Sequence, residues 1–300
     1  LKTVRFRSQK RMQNRENILA EVANWLDDIN YLEELLDDQV EYQLQNIRSS
    51  RTPEGIVRVA RRCREALGLD DEEPIHDICG LLESGGIKVY RIDTSSDGFF
   101  GLSVSRHDGG PAVVVNAWER IPIERQIFSA AHELGHLVLH KDAFDVEIVE
   151  EDQDQEQQAD LFAGHFIMPD EGFVKEWNEA AGLHVVDRVF KVKGIFHVSY
   201  KTVLHRLIEH EVVDNSVWKN FNLAYQRRFN KKLSFKEEPA GTEHAEPFGL
   251  DEFDFYEDRF RRLVRQAVEE DKISMSRGAE MLRISIEEMR ELTRSWEPVL

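Results

Sequence analysis

The segment that most limits how this chain can fold is Ile127 to Leu139, an apolar run broken only by Ser129 and by the polar members of the pentad His132-Glu133-Leu134-Gly135-His136. Ile127, Phe128, Ala130 and Ala131 lead into the pentad, and Leu137, Val138 and Leu139 follow it. Such flanks predict a helix lodged in a core with one polar strip, not a solvated helix with scattered charge. Residues four apart share a helix face, about 6 Å apart along the axis, so both imidazoles can converge on one ion. Glu133 sits about 100° around the helix, where its carboxylate reaches a water on that ion and not the ion itself. Gly135 costs about 1 kcal/mol relative to alanine in a helix interior, which predicts a second helix crossing closely there.

That second helix reads over residues 155–167 and stops before Met168-Pro169. Glu156, Ala159 and Ala163 share one of its faces, placing a carboxylate beside two small residues that permit close approach to Gly135. Glu156 is therefore the expected third ligand. Asp160, one turn further on, is spaced to accept a hydrogen bond from the free ring nitrogen of His132 or His136. Two histidines and a glutamate that leave a fourth position for water form a catalytic Zn2+ set, and the implied chemistry is peptide hydrolysis with Glu133 as general base.

The remaining histidines read differently. His140 lies about 12 Å beyond His132 along the axis, too far to share the ion, and reads as a cation near a helix C-terminus. His165 falls on the face opposite Glu156 and is excluded as a ligand. His197, Tyr200 and His205 lie on a later helix, and Tyr200 is the residue chosen from it to stabilise the oxyanion formed during hydrolysis.

Several further residues extend the pattern: Asn116 at the end of an apolar strand, Arg125 and Phe128 before the pentad, Leu137 to His140 after it, Glu156-x-x-Ala159-Asp160-x-Phe162-Ala163, Met168-Pro169, and Val198-Ser199 followed by Arg206-Leu207. With these, residues 50–212 resemble the ImmA/IrrE family of metallopeptidases, compact relatives of thermolysin-like zinc enzymes. The family usually has Asn at the position of Asp160 and an acidic residue at that of His165; neither departure removes a ligand. The resemblance implies a regulatory protease that cuts a DNA-binding helix-turn-helix repressor at one place, relieving transcriptional or stress-response repression. It also implies an XRE-type helix-turn-helix upstream. Leu1 is not an initiator methionine, and the basic start would then be the tail of that domain.

Composition narrows the rest. Cys63 and Cys79 are too few for a disulfide framework, no apolar run approaches a membrane span, and the start lacks a signal-peptide core, so a soluble cytoplasmic protein is expected. A net charge of −18 argues against broad attraction to nucleic acid. DNA contact, if any, would come from a missing N-terminal domain. The carboxylate-rich stretch Asp145 to Asp160 reads either as a solvated loop or as an acidic apron that selects basic peptides.

The expected fold is α+β, with a small three-stranded sheet (87–92, 99–104, 112–115) packed on the two ligand-bearing helices and helical extensions at both ends. If Ala112 to Val115 is an edge strand, a substrate can add to it in extended form. The expected divisions are 1–50, a basic start and a long amphipathic helix over 13–46; 51–212, the zinc peptidase domain; and 213–300, a connector over 231–254 followed by three helices. The long helix carries a heptad-like seam from Ile18 to Val40, suited either to a homodimeric coiled coil or to packing on the chain's own core. Residues 273–285 resemble the opening of a helix-turn-helix, but the helix that follows is acidic, and a helical packing module is the expectation. A zinc endopeptidase is thus the leading reading. Its rival is a transcription regulator that uses the peptidase-like fold as a sensor or scaffold.

Overall fold

The computed structural model describes residues 4–8, 15–96, 98–141, 144, 152–234, 239–242 and 245–296. Four strands, β1 (Val4–Ser8), β2 (Lys88–Ile92), β3 (Phe99–Val104) and β4 (Ala112–Asn116), form one mixed sheet in the order β1-β3-β4-β2. β2 and β4 are parallel, with Lys88 opposite Ala112. β3 runs antiparallel to β4 with Gly101 opposite Val115, and β1 antiparallel to β3 with Arg7 opposite Gly101. Every residue of β4 is buried, as its unbroken apolar run requires of a strand covered on both faces.

The three expected strands form, and the sheet gains a fourth from the basic start. An edge strand tolerates charged residues, so five residues containing Arg5 and Arg7 read as a tail. Lys2, Lys10 and Arg11 lie outside the described residues, as do residues 145–151 of the acidic stretch. The order of strands also overturns the expectation that Ala112 to Val115 could be an edge: β4 lies between β3 and β2, and β1 covers the outer side of β3.

Alternation along the strands divides the core in two. Val89, Val113 and Val115 face α2 (Pro53–Ala66), α3 (Ile78–Ser84), α4 (Ile123–Leu139) and α5 (Gln153–Ile167), backed by α6 (Asp170–Glu179), α7 (Val185–Phe196), α8 (Tyr200–Glu209) and α9 (Val217–Phe229). Leu102, Val104, Ala112 and Val114 face α1 (Arg15–Leu36) and a C-terminal trio, α10 (Arg259–Glu269), α11 (Met275–Leu282) and α12 (Ile286–Ser295).

α1 ends at Leu36, ten residues before the expected helix end at 46. Asp37 takes a left-handed φ of 55°, and Arg259 of α10 binds both Glu33 and Asp38, which turns the chain out of the helix. Ile18, Val22, Trp25, Ile29, Leu32 and Leu36 are all buried within the chain, so this part of the seam packs on the chain's own core. The three C-terminal helices form where expected and lie against α1, with Arg277 on Asp28 and Arg283 on Glu21. The stretch expected to be a flexible connector is anchored where it is described. The Ala240 N–H donates to the Arg120 carbonyl, the Leu250 N–H donates to Glu124, and Phe255 is buried. No helix among the described residues is long and apolar enough to cross a membrane.

Candidate metal centre

The site is made by the crossing of α4 and α5. A Cβ on Gly135 would stand 3.1 Å from the Phe162 ring and 3.3 Å from the Ala159 Cα, so the two backbones meet where the glycine and the small residue face each other. Asp152 caps α5 by accepting from the N–H groups of Asp154 and Gln155, which fixes the first turn that carries Glu156. Nε2 of His132 and Nε2 of His136 are then 2.9 Å apart. The Glu156 carboxylate spans them, with Oε2 at 3.1 Å from His132 and Oε1 at 3.2 Å from His136. One ligand atom from each residue lies within 4.8 Å of the others, and both histidines are buried.

The hydrogen bonds on the far side of these rings decide what the cluster can hold. Nδ1 of His132 is 2.7 Å from Oδ1 of Asp160, a carboxylate that only accepts, so the His132 proton is on Nδ1. Its Nε2 therefore presents a lone pair toward the second imidazole and the Glu156 carboxylate. Converging lone pairs and a carboxylate at this range repel one another unless positive charge lies among them, and the donor set fits a divalent cation. Were both imidazoles protonated instead, their hydrogen bonds and charge would hold the Glu156 carboxyl well below the usual carboxylate range against the opposing effect of burial.

Glu133 is fully buried and points to β3. A Cβ on Gly101 would stand 3.1 Å from its Cγ and Oε1 and 2.9 Å from the Val114 carbonyl oxygen, so the carboxylate occupies space that only a glycine leaves open. Sequence reasoning missed Gly101, although a glycine inside a strand is itself a sign of close approach. Asn116 holds this part of the sheet in register. Its amide donates to the carbonyls of Thr94 at 2.9 Å and Phe99 at 3.0 Å, and its oxygen accepts from the N–H groups of Thr94 and Trp118, each at 3.1 Å. Arg125 lies over the Phe100 ring, 4.4 Å from its centre.

Beside the cluster, a cavity of about 660 Å³ opens between the start of α4, α5, α8 and the segment around Glu246, with Asp160, Phe128 and Tyr200 on its walls. Tyr200 is buried and its hydroxyl donates to the Ser234 carbonyl at 3.3 Å, while its backbone N–H donates to Glu246 at 2.7 Å. Burial raises Glu246 to about 7 against the opposing pull of Lys193. His165 lies away from the cluster, as its helix face implies. It accepts from Arg206 at 3.1 Å, and burial followed by that guanidinium lowers it to about 4. His205 is exposed and packs on Trp218, and His197 closes α7 with a left-handed φ of 54°. His140 caps the C-terminus of α4, where the sequence places it, and its ring turns toward His136. It is buried, with Nδ1 at 2.8 Å from Nδ1 of His136 and Nε2 at 3.0 Å from the Gln158 amide oxygen.

Residues 82–208 match a family model described as the IrrE N-terminal-like domain of the M78 peptidases. That stretch contains β2 to β4, the two helices that carry His132, His136 and Glu156, α6, α7 and nearly all of α8, and the match supports an ImmA/IrrE-type metallopeptidase domain there. No curated protein matches the chain.

Proposed function

We propose that the chain is a zinc-dependent endopeptidase with a regulatory role, hydrolysing a peptide bond in a DNA-binding protein of the helix-turn-helix repressor class. The observation that carries this reading is the combination of two convergent imidazoles and Glu156 with a buried carboxylate, Glu133, on the adjacent helix face. His132, His136 and Glu156 would hold the ion. A zinc ion there supplies Lewis acidity, lowering the pKa of water to about 7 and polarising the scissile carbonyl.

The protein's own groups carry the proton traffic. Glu133, held against Gly101, takes a proton from the attacking water and later passes it to the leaving amine. Asp160 keeps the proton of His132 on Nδ1. The cavity beside Asp160 has the size and partly apolar lining to receive a substrate side chain next to the reacting bond. Tyr200, on the wall of the same cavity, is the proposed donor to the oxyanion; its hydroxyl would have to exchange the Ser234 carbonyl for the substrate. Because β1 covers the outer side of β3, a peptide cannot add to β3 as a further strand while β1 is paired there.

The family match supports a peptidase, and the charge of −18 supports a protein substrate over direct recognition of DNA by this chain. The test is cleavage of candidate repressors by the wild-type chain and by Glu133→Gln. A single cut by the wild type, blocked by a zinc chelator and abolished in Glu133→Gln with zinc retained, is the expected result. Cleavage at the wild-type rate by Glu133→Gln would refute the general-base role. Zinc binding without cleavage of any protein would favour the sensor or scaffold reading.

A further inference from the structure

His140 closes α4 and is tied back to His136 twice: its backbone N–H donates to the His136 carbonyl at 3.0 Å, and the two rings meet through their Nδ1 atoms at 2.8 Å. Two nitrogens at that distance share one proton, and its owner can be deduced. Gln158 presents its amide oxygen, which only accepts, to Nε2 of His140 at 3.0 Å, so that nitrogen carries the His140 proton. In the neutral ring, Nδ1 of His140 is then an acceptor. Nδ1 of His136 must be the donor, and Nε2 of His136 keeps the lone pair that faces His132 and Glu156.

We infer that His140 and Gln158 form a relay that positions His136, fixing both its ring angle and its metal-binding tautomer; the inference rests on the metal-centre reading above. Helix α5 would then serve both imidazoles, with Asp160 acting directly on His132 and Gln158 acting on His136 through His140. Gln158 is two residues beyond Glu156, so one short stretch supplies a ligand and both outer acceptors. Measured from His132, His140 is too distant to matter. Measured from His136, it is the next residue on the same face.

The test is zinc affinity, measured by competition with a chromogenic chelator, on the whole chain in wild type, His140→Ala, His140→Phe, His140→Asn and Gln158→Leu, with the thermal midpoint of each metal-free protein recorded alongside. Removing an outer partner of a metal-binding histidine costs about ten- to a hundredfold in affinity. His140→Ala and His140→Phe are expected to lose that much, Gln158→Leu less, and the spectrum of bound Co2+ should change in each. His140→Asn, whose Oδ1 can accept where Nδ1 did, should return affinity and spectrum close to wild type. Wild-type affinity in both His140→Ala and His140→Phe would overturn the relay. So would a loss that His140→Asn fails to rescue, since this marks a packing role. Absence of zinc binding by the wild type would instead overturn the metal-centre reading on which the relay stands.

Discussion

At Gly101 the distances leave no room for one added carbon: a Cβ would meet both the Val114 carbonyl and the Glu133 carboxylate. Gly101→Ala is expected to lower kcat/KM at least about tenfold by pushing Glu133 off line while zinc content stays near wild type, because small misplacements of a reacting group are costly. A cleavage assay paired with elemental analysis checks it. The pentad, Glu156 and Asp160 were legible at this scale because helical periodicity converts sequence spacing directly into a shared face. Gly101 was not, since its neighbour lies on a helix across the sheet interface and no local pattern reports that distance. The contact of His140 is hidden from a spacing measured to His132, because its ring meets that of His136.

Between elements, the α4 and α5 crossing sets the geometry of the whole cluster, and Gly135 lies there directly against Phe162 and Ala159. Gly135→Val would drive a branched side chain into Phe162 and Ala159, with an expected loss of about 1–3 kcal/mol in stability. Because the two helices carry ligands, the same variant should bind zinc more weakly. Denaturant unfolding of the metal-free protein and a zinc titration together separate the two effects. Residues 155–167 could be read as a helix from small residues, a carboxylate and a terminal proline, all local signals. β1 and the end of α1 could not, because tertiary partners decide them: β1 is ordered by pairing with β3, and α1 is cut short where Arg259 takes Glu33 and Asp38. The anchoring of the segment around Glu246 was likewise invisible, since its partners, Tyr200 and Lys193, come from α8 and α7.

Over the whole molecule, two apolar clusters share one sheet, the first carrying the helices of His132, His136 and Glu156 and the second joining α1 to the C-terminal helices. Glu83 lies buried on α3, with Oε1 lacking a hydrogen-bond partner among the described residues. Burial, followed by the negative charges of Asp258 and Glu257, raises its carboxyl from 4.5 to about 8. Below the unfolded value both states hold the proton and the group has no effect. Between the two values the folded state keeps a proton that the unfolded state has lost, so stability falls as pH rises through that window, by an amount on the order of a few kcal/mol. Glu83→Gln should therefore raise the thermal midpoint at pH 9 and leave it nearly unchanged at pH 4, and an equal gain at both would refute the assignment.

The proposed arrangement, one zinc ion on His132, His136 and Glu156 with Glu133 free for chemistry, is open to a count of zinc per chain. Elemental analysis of purified wild type, Glu133→Gln and Glu156→Ala is expected to give one zinc per chain in the first two and a marked loss in the third. Undiminished zinc in Glu156→Ala would remove Glu156 from the ligand set, and loss of zinc in Glu133→Gln would make Glu133 a ligand and not a base.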